Sequence, residues 1–135
     1  MNVSSAPEAY PSEEQLSELV DRFYAKVRED AVLGPVFNAA VDDWPTHLDR
    51  LSAFWSSVML TSGRYKGNPM AVHLKHREAI LPAMFARWLE LWGQTARETL
   101  SEPAAAAVVD KADRIAESLQ LGLFFKLDTP RPAAP

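Results

Sequence analysis

The sequence predicts an all-α protein. Three observations carry that expectation. Apolar residues recur at helical spacing over four long stretches. Helix-start signals precede two of them, Ser12-Glu13-Glu14-Gln15 and Ser101-Glu102-Pro103. No stretch shows the alternation or turn chemistry of a convincing strand. With 135 residues, the chain is long enough for one domain with a real core and too short for two.

Residues 1–11 read as a flexible arm, so the folded domain is expected over 12–127. Ser12, with Gln15 three positions on, opens a first helix. Its stripe is Leu16, Leu19, Val20, Phe23, Tyr24 and Val27, and Leu33-Gly34-Pro35 stops it. Tyr24 lies inside this stripe. It is either a core tyrosine or a buried phenol aimed at a ligand. Residues 36–40 are long enough for one turn, with Phe37 the only large apolar group. After a loop at 42–45, Thr46 is the expected N-cap, with Asp43 its rival.

The second long helix is expected from about His47 to Thr61. His47, Leu51, Phe54, Trp55 and Val58 share one face. His47 is therefore either an ordinary half-buried histidine or a hydrogen-bonding gate at a pocket mouth. Arg50 flanks the same face and is either solvated or within reach of an anion at the rim. A third helix, Leu81–Leu100, carries Pro82 in its first turn and Met84, Phe85, Trp88, Leu89 and Trp92 on one face. Ser101 caps the last helix, where four alanines at 104–107 favour helix and a stripe runs from Val108 to Phe125. The Pro-rich end, 128–135, is expected to be disordered.

Bulk properties exclude several function classes. A net charge of -4 leaves no excess of Lys and Arg to neutralise phosphates, so nucleic acid is not expected as a partner. The absence of cysteine removes disulfides, iron–sulfur clusters and a Cys nucleophile. No apolar run reaches membrane-span length, and MNVSSAPEAYPSEE lacks the form of a signal peptide, so a cytoplasmic location is expected.

The stretch YKGNPMAVHLKHREAILPAMFARWLELW, from Tyr65 to Trp92, concentrates the chemistry. His73 sits on a short Pro-bounded element behind Met70-Ala71-Val72, just ahead of the aromatic face of the third helix. A lone histidine is more often structural or on the surface. This placement also suits an axial ligand to a flat apolar cofactor, of which haem is the obvious example. His76, three residues on, allows a second arrangement, a metal site of HLKHRE with Glu78. Such a site lacks the three or four ligands a protein-held metal normally needs.

Three segments together resemble a known family, the group III truncated haemoglobins: FYAKVREDAVLGPVFN, HLDRLSAFWSSVMLTSGRYKGNPM and FARWLELW. The resemblance runs from about Leu16 to Leu123. It implies a two-over-two helical sandwich around haem b (iron protoporphyrin IX), with His73 as the proximal iron ligand. It places Tyr24, His47 and Trp88 on the distal side, Phe37 against the haem, Phe54 and Trp55 in the pocket lining, and Arg50 near a propionate. Leu51, Tyr65 and Met84 complete the expected haem contacts. One departure stands out. KHREAILPAMFA occupies the place of a Pro-rich linker and leaves His76 as a rival ligand; His73 is preferred because it directly follows Met-Ala-Val and precedes Leu74.

The function implied is reversible binding of O2, and also of CO and NO, with a polar distal pocket that holds O2 tightly. A haem enzyme is the alternative, with nitric oxide dioxygenase or peroxidase-like turnover. It would need an external reductase, since no reductase domain is recognisable. A cofactor-free helical interaction module is the remaining class.

Overall fold

The computed structural model describes residues 9–124. Those residues form α1 (Glu13–Glu29), α2 (Gly34–Ala40), α3 (Trp44–Leu60), α4 (Pro69–Lys75), a 3₁₀ turn (Arg77–Ala79), α5 (Pro82–Thr99) and α6 (Glu102–Leu123). No strand occurs among the described residues, as the spacing of apolar side chains predicts. The tail at 128–135 and the end of the last stripe at Phe125 lie outside them, as do residues 1–8 of the arm. At the arm's inner edge, Pro11 is fully buried.

Each helix start has a local cause. Ser12 and Gln15 close the expected reciprocal capping box: Ser12 Oγ accepts from Gln15 N at 3.1 Å, and Gln15 Oε1 accepts from Ser12 N at 2.9 Å. Ser101 caps α6. Thr46 is not the cap of α3. The cap is Asp43, whose carboxylate accepts from both the backbone N–H and the hydroxyl of Thr46. The helix therefore starts at Trp44, with Pro45 tolerated in its first turn. Likewise α1 stops at Glu29 rather than at Leu33, because Asp30 captures the backbone N–H groups of Val32 and Leu33, each at 3.0 Å.

The helices form two packed pairs. α1 lies against α3 and α5 against α6, and α1 also packs on α5, giving the two-layer arrangement expected. Two stacked tryptophans occupy the junction. Trp55 of α3 lies 4.4 Å from Trp92 of α5 with planes 20° apart, and both are almost fully buried. Trp92 satisfies its indole by donating to Val108 O at 3.2 Å, which ties α5 to α6. Phe23 of α1 meets the edge of Trp92 at 4.9 Å and closes the core. No described helix is long and apolar enough to cross a membrane.

Polar contacts fasten the connections. Ser56 Oγ, fully buried, is 2.7 Å from both Glu13 Oε2 and Ser62 Oγ, and Arg64 pairs with the other Glu13 oxygen at 2.6 Å. The loop leading to α4 is thus pinned to the start of α1. At the other end of α1, Arg87 of α5 grips Asp30 through Nε at 2.8 Å and a second guanidinium nitrogen at 2.7 Å. The Asp30 side chain is only 6% exposed, and the Arg87 guanidinium, helped by the two backbone donors, holds its carboxyl below the usual carboxylate range.

Two stability predictions follow from these junctions. Asp30→Asn removes a charged acceptor of four hydrogen bonds and is expected to cost about 2 kcal/mol in urea unfolding at neutral pH. Because the folded-state pKa is depressed, the Asp30 contribution is complete above the unfolded carboxylate value of about 4 and is lost as pH falls through the folded value. The cost of Asp30→Asn should therefore shrink in acid. Gly34 makes the second case: an added Cβ would stand 2.8 Å from Arg28 O, a backbone atom that cannot move aside. Gly34→Ala is expected to destabilise by about 1–3 kcal/mol, read from the unfolding midpoint.

Candidate functional site

α1 delivers Tyr24 to an aromatic cluster at the edge of the core. The ring is 4% exposed and lies 5.7 Å from Phe37 of α2, 6.2 Å from His47 and 6.1 Å from Trp44 of α3. Trp88 of α5 is hydrogen-bonded to the Tyr24 hydroxyl. An indole N–H can only donate, so in that bond the phenol oxygen is the acceptor. Burial pushes the phenol up to about 12, with the Trp88 bond pulling against it, so Tyr24 is a neutral donor at physiological pH.

His47 closes the same cluster from the first turn of α3. Its Nε2 is buried and has no hydrogen-bond partner. Burial, and next the charge of Arg50, push its pKa below the ordinary imidazole value, so the neutral ring is favoured. A buried polar atom without a partner is uncommon in a folded protein. The three residues that the resemblance marks for the distal side, Tyr24, His47 and Trp88, are brought together, and Phe37, expected against the haem, packs on the same tyrosine.

Elsewhere α4 presents His73. Asn68 caps this helix by accepting from Ala71 N at 3.1 Å, and Pro69 fixes its first turn. His73 Nδ1 is 2.7 Å from Pro69 O. A carbonyl only accepts, so Nδ1 carries the proton and, in the neutral ring, Nε2 carries the lone pair. A backbone carbonyl on one ring nitrogen is the usual means of orienting a metal-ligating imidazole. His73 is half-buried. His76, the rival, is exposed at the junction between α4 and the 3₁₀ turn. Among the described residues no three His, Asp or Glu side chains converge on a possible metal position, so HLKHRE does not form one with Glu78.

The remaining sequence candidates divide by burial. Phe37, Leu51, Phe54, Tyr65, Met84 and Trp88 are all half-buried, an apolar margin that the chain leaves partly uncovered. Phe54 and Tyr65 pack edge to face at 5.2 Å, and Met84 Sδ accepts from Leu81 N at 3.4 Å. Arg50 is exposed. Trp55 is 1% exposed; its ring neighbours are Trp92 and Phe54, so it belongs to the junction of the helix layers.

The sequence signals do not single out Trp44, which falls in the predicted loop at 42–45 but opens α3. Trp44 packs against His47 at 5.5 Å with planes 86° apart, and the Arg28 guanidinium sits 4.6 Å from its ring centroid. Recognising Asp43 as the cap would have placed Trp44 one turn before His47 on the same helix. Phe23, a core residue in the sequence pattern, also supports the cluster through edge contacts to Tyr24 at 4.7 Å and Trp88 at 5.5 Å.

The chemical character of these groups is consistent throughout. An oriented imidazole, uncharged buried donors and a partly open apolar margin suit a flat, largely apolar group that brings its own metal and needs one axial nitrogen.

Comparison with known proteins bears on the family and the fold. No family model matches the chain. A group 3 truncated haemoglobin of Campylobacter jejuni is 31% identical over 121 residues, which span 84% of this chain and 91% of that protein. The crystal structure of group III truncated haemoglobin from Campylobacter jejuni superposes with a TM-score of 0.77 at 29% identity, covering 88% of this chain and 96% of that one.

Proposed function

Because this chain belongs to the group III truncated haemoglobins, we propose that it holds haem b through His73 and binds O2 reversibly, with CO and NO as alternative ligands. A histidine-ligated haem iron with one open side supplies the binding of diatomic gases. His73 would offer Nε2 to that iron, and its Nδ1–H, held by Pro69 O, would fix the plane of the ring. When haem is bound, the half-buried Phe37, Leu51, Phe54, Tyr65 and Met84 would supply its apolar surroundings, and Arg50 would pair with a propionate. Tyr24, a neutral buried phenol, would donate its O–H to a bound ligand that gains negative charge. Trp88 orients that phenol through its own N–H. His47 stands at the entrance as a neutral gate.

The observation that carries this reading is the His73 imidazole, proton-locked on Nδ1 at 2.7 Å from Pro69 O, within a chain whose relatives are haem globins by name. The pyridine haemochrome assay tests it. One b-type haem per chain is expected, in the purified protein or after haemin titration. A chain that takes up no haem contradicts the proposal.

A further inference from the structure

We propose that Arg28 and Trp44 form a latch that holds His47 against Tyr24 and thereby limits how fast diatomic ligands reach the distal side. The proposal rests on the haem-globin reading above.

Three successive contacts make the latch. The Arg28 guanidinium lies 4.6 Å from the Trp44 ring centroid. Trp44 presents its ring to the His47 imidazole at 5.5 Å and 86°. His47 in turn meets Tyr24 at 6.2 Å and 83°. No hydrogen bond holds the far end of His47, because Nε2 has no partner. Its rotamer is therefore set by ring packing, and Trp44 supplies the packing on the outer side. Trp44 is itself half-buried, at the first position of α3, where only the Asp43 cap precedes it. Arg28, in the last turn of α1, is exposed and makes no ion pair among the described residues. The cation over the indole is its visible side-chain contact. Its backbone carbonyl is engaged separately by Asn38 Nδ2 at 3.1 Å, so a change of side chain leaves the α1–α2 junction in place.

A cation over an indole at such a site contributes about 0.5–1 kcal/mol. Removing it should raise the open fraction of His47, and with it the CO association rate, about two- to fivefold. Arg28→Ala is the primary variant, because an exposed side chain near a helix end is safe to truncate. Arg28→Lys should recover part of the slow rate by restoring a cation. Trp44→Leu should exceed Arg28→Ala. In a His47→Ala background, Arg28→Ala should change the rate no further, which separates a latch acting through His47 from general loosening.

A second readout does not depend on rates. In the diamagnetic ferrous–CO form, the His47 ring protons should show ring-current shifts from Trp44 that diminish in Arg28→Ala. The latch is overturned if Arg28→Ala leaves both the rate and those shifts unchanged, or if its effect on the rate persists without His47. Should the chain bind no haem, the ring-current shifts of His47 in the protein as purified still report on the Arg28–Trp44 contact, so the two failures are distinguishable.

Discussion

His73→Ala should lose haem retention, while His76→Ala should keep it. Two histidines three residues apart on one short segment make this a sharp comparison. His73 is half-buried, its Nδ1 proton is committed to Pro69 O, and its Nε2 is left as a ligand. His76 is exposed where α4 gives way to the 3₁₀ turn, and the segment's charged neighbours Lys75 and Arg77 surround it with solvent. The apolar margin alone gives haem a hydrophobic site but no bond to iron, so His73→Ala should release haem to an acceptor globin within the time the native chain retains it. His73→Gly with added imidazole should restore the ligand field, which distinguishes loss of a ligand from loss of the fold. Equal haem loss in both alanine variants would reassign the axial ligand.

The second large effect lies on the distal side. Tyr24→Phe should raise the O2 dissociation rate about ten- to a hundredfold, the consequence of losing a hydrogen bond to a partly charged acceptor worth about 1.5–3 kcal/mol. Trp88→Phe should also raise it. The two changes should not add. Trp88 hydrogen-bonds to the Tyr24 oxygen and orients the phenol, so once the hydroxyl is gone the indole has lost that role. CO carries less negative charge when bound and should respond less than O2 to both substitutions. Stopped-flow displacement of O2 by CO measures all of these. If the single and double variants released O2 at the native rate, Tyr24 and Trp88 would have no part in holding the ligand.

The helices were legible because each carries one apolar stripe with a clear start. Leu16, Leu19, Val20, Phe23, Tyr24 and Val27 are spaced for one face, and all six are buried. The resemblance, rather than any local pattern, marks Tyr24, His47, His73 and Trp88; the structure packs Tyr24 against His47 and carries His73 on the separate short helix α4. What sequence reading missed depends on contacts across the fold. Arg87 is 57 residues from Asp30, and nothing local to Asp30 says that a guanidinium will meet it and help end α1 there. Trp44 was lost through a single choice between two plausible caps, Thr46 and Asp43. The structure decides it because the Asp43 carboxylate reaches both donors of Thr46. Trp55 illustrates the opposite case. It shares a helix face with His47 and Phe54, but Trp92 stacks on it and draws it into the junction of the layers.

The visible spectrum of the native protein, taken ferric, then reduced with dithionite, then under CO, tests the central claim most directly. A Soret band that shifts on reduction and sharpens and shifts again with CO is expected, as for a histidine-ligated haem with one open side. A protein without a Soret band, before or after addition of haemin, would contradict it and leave the same helices to be explained as an interaction module.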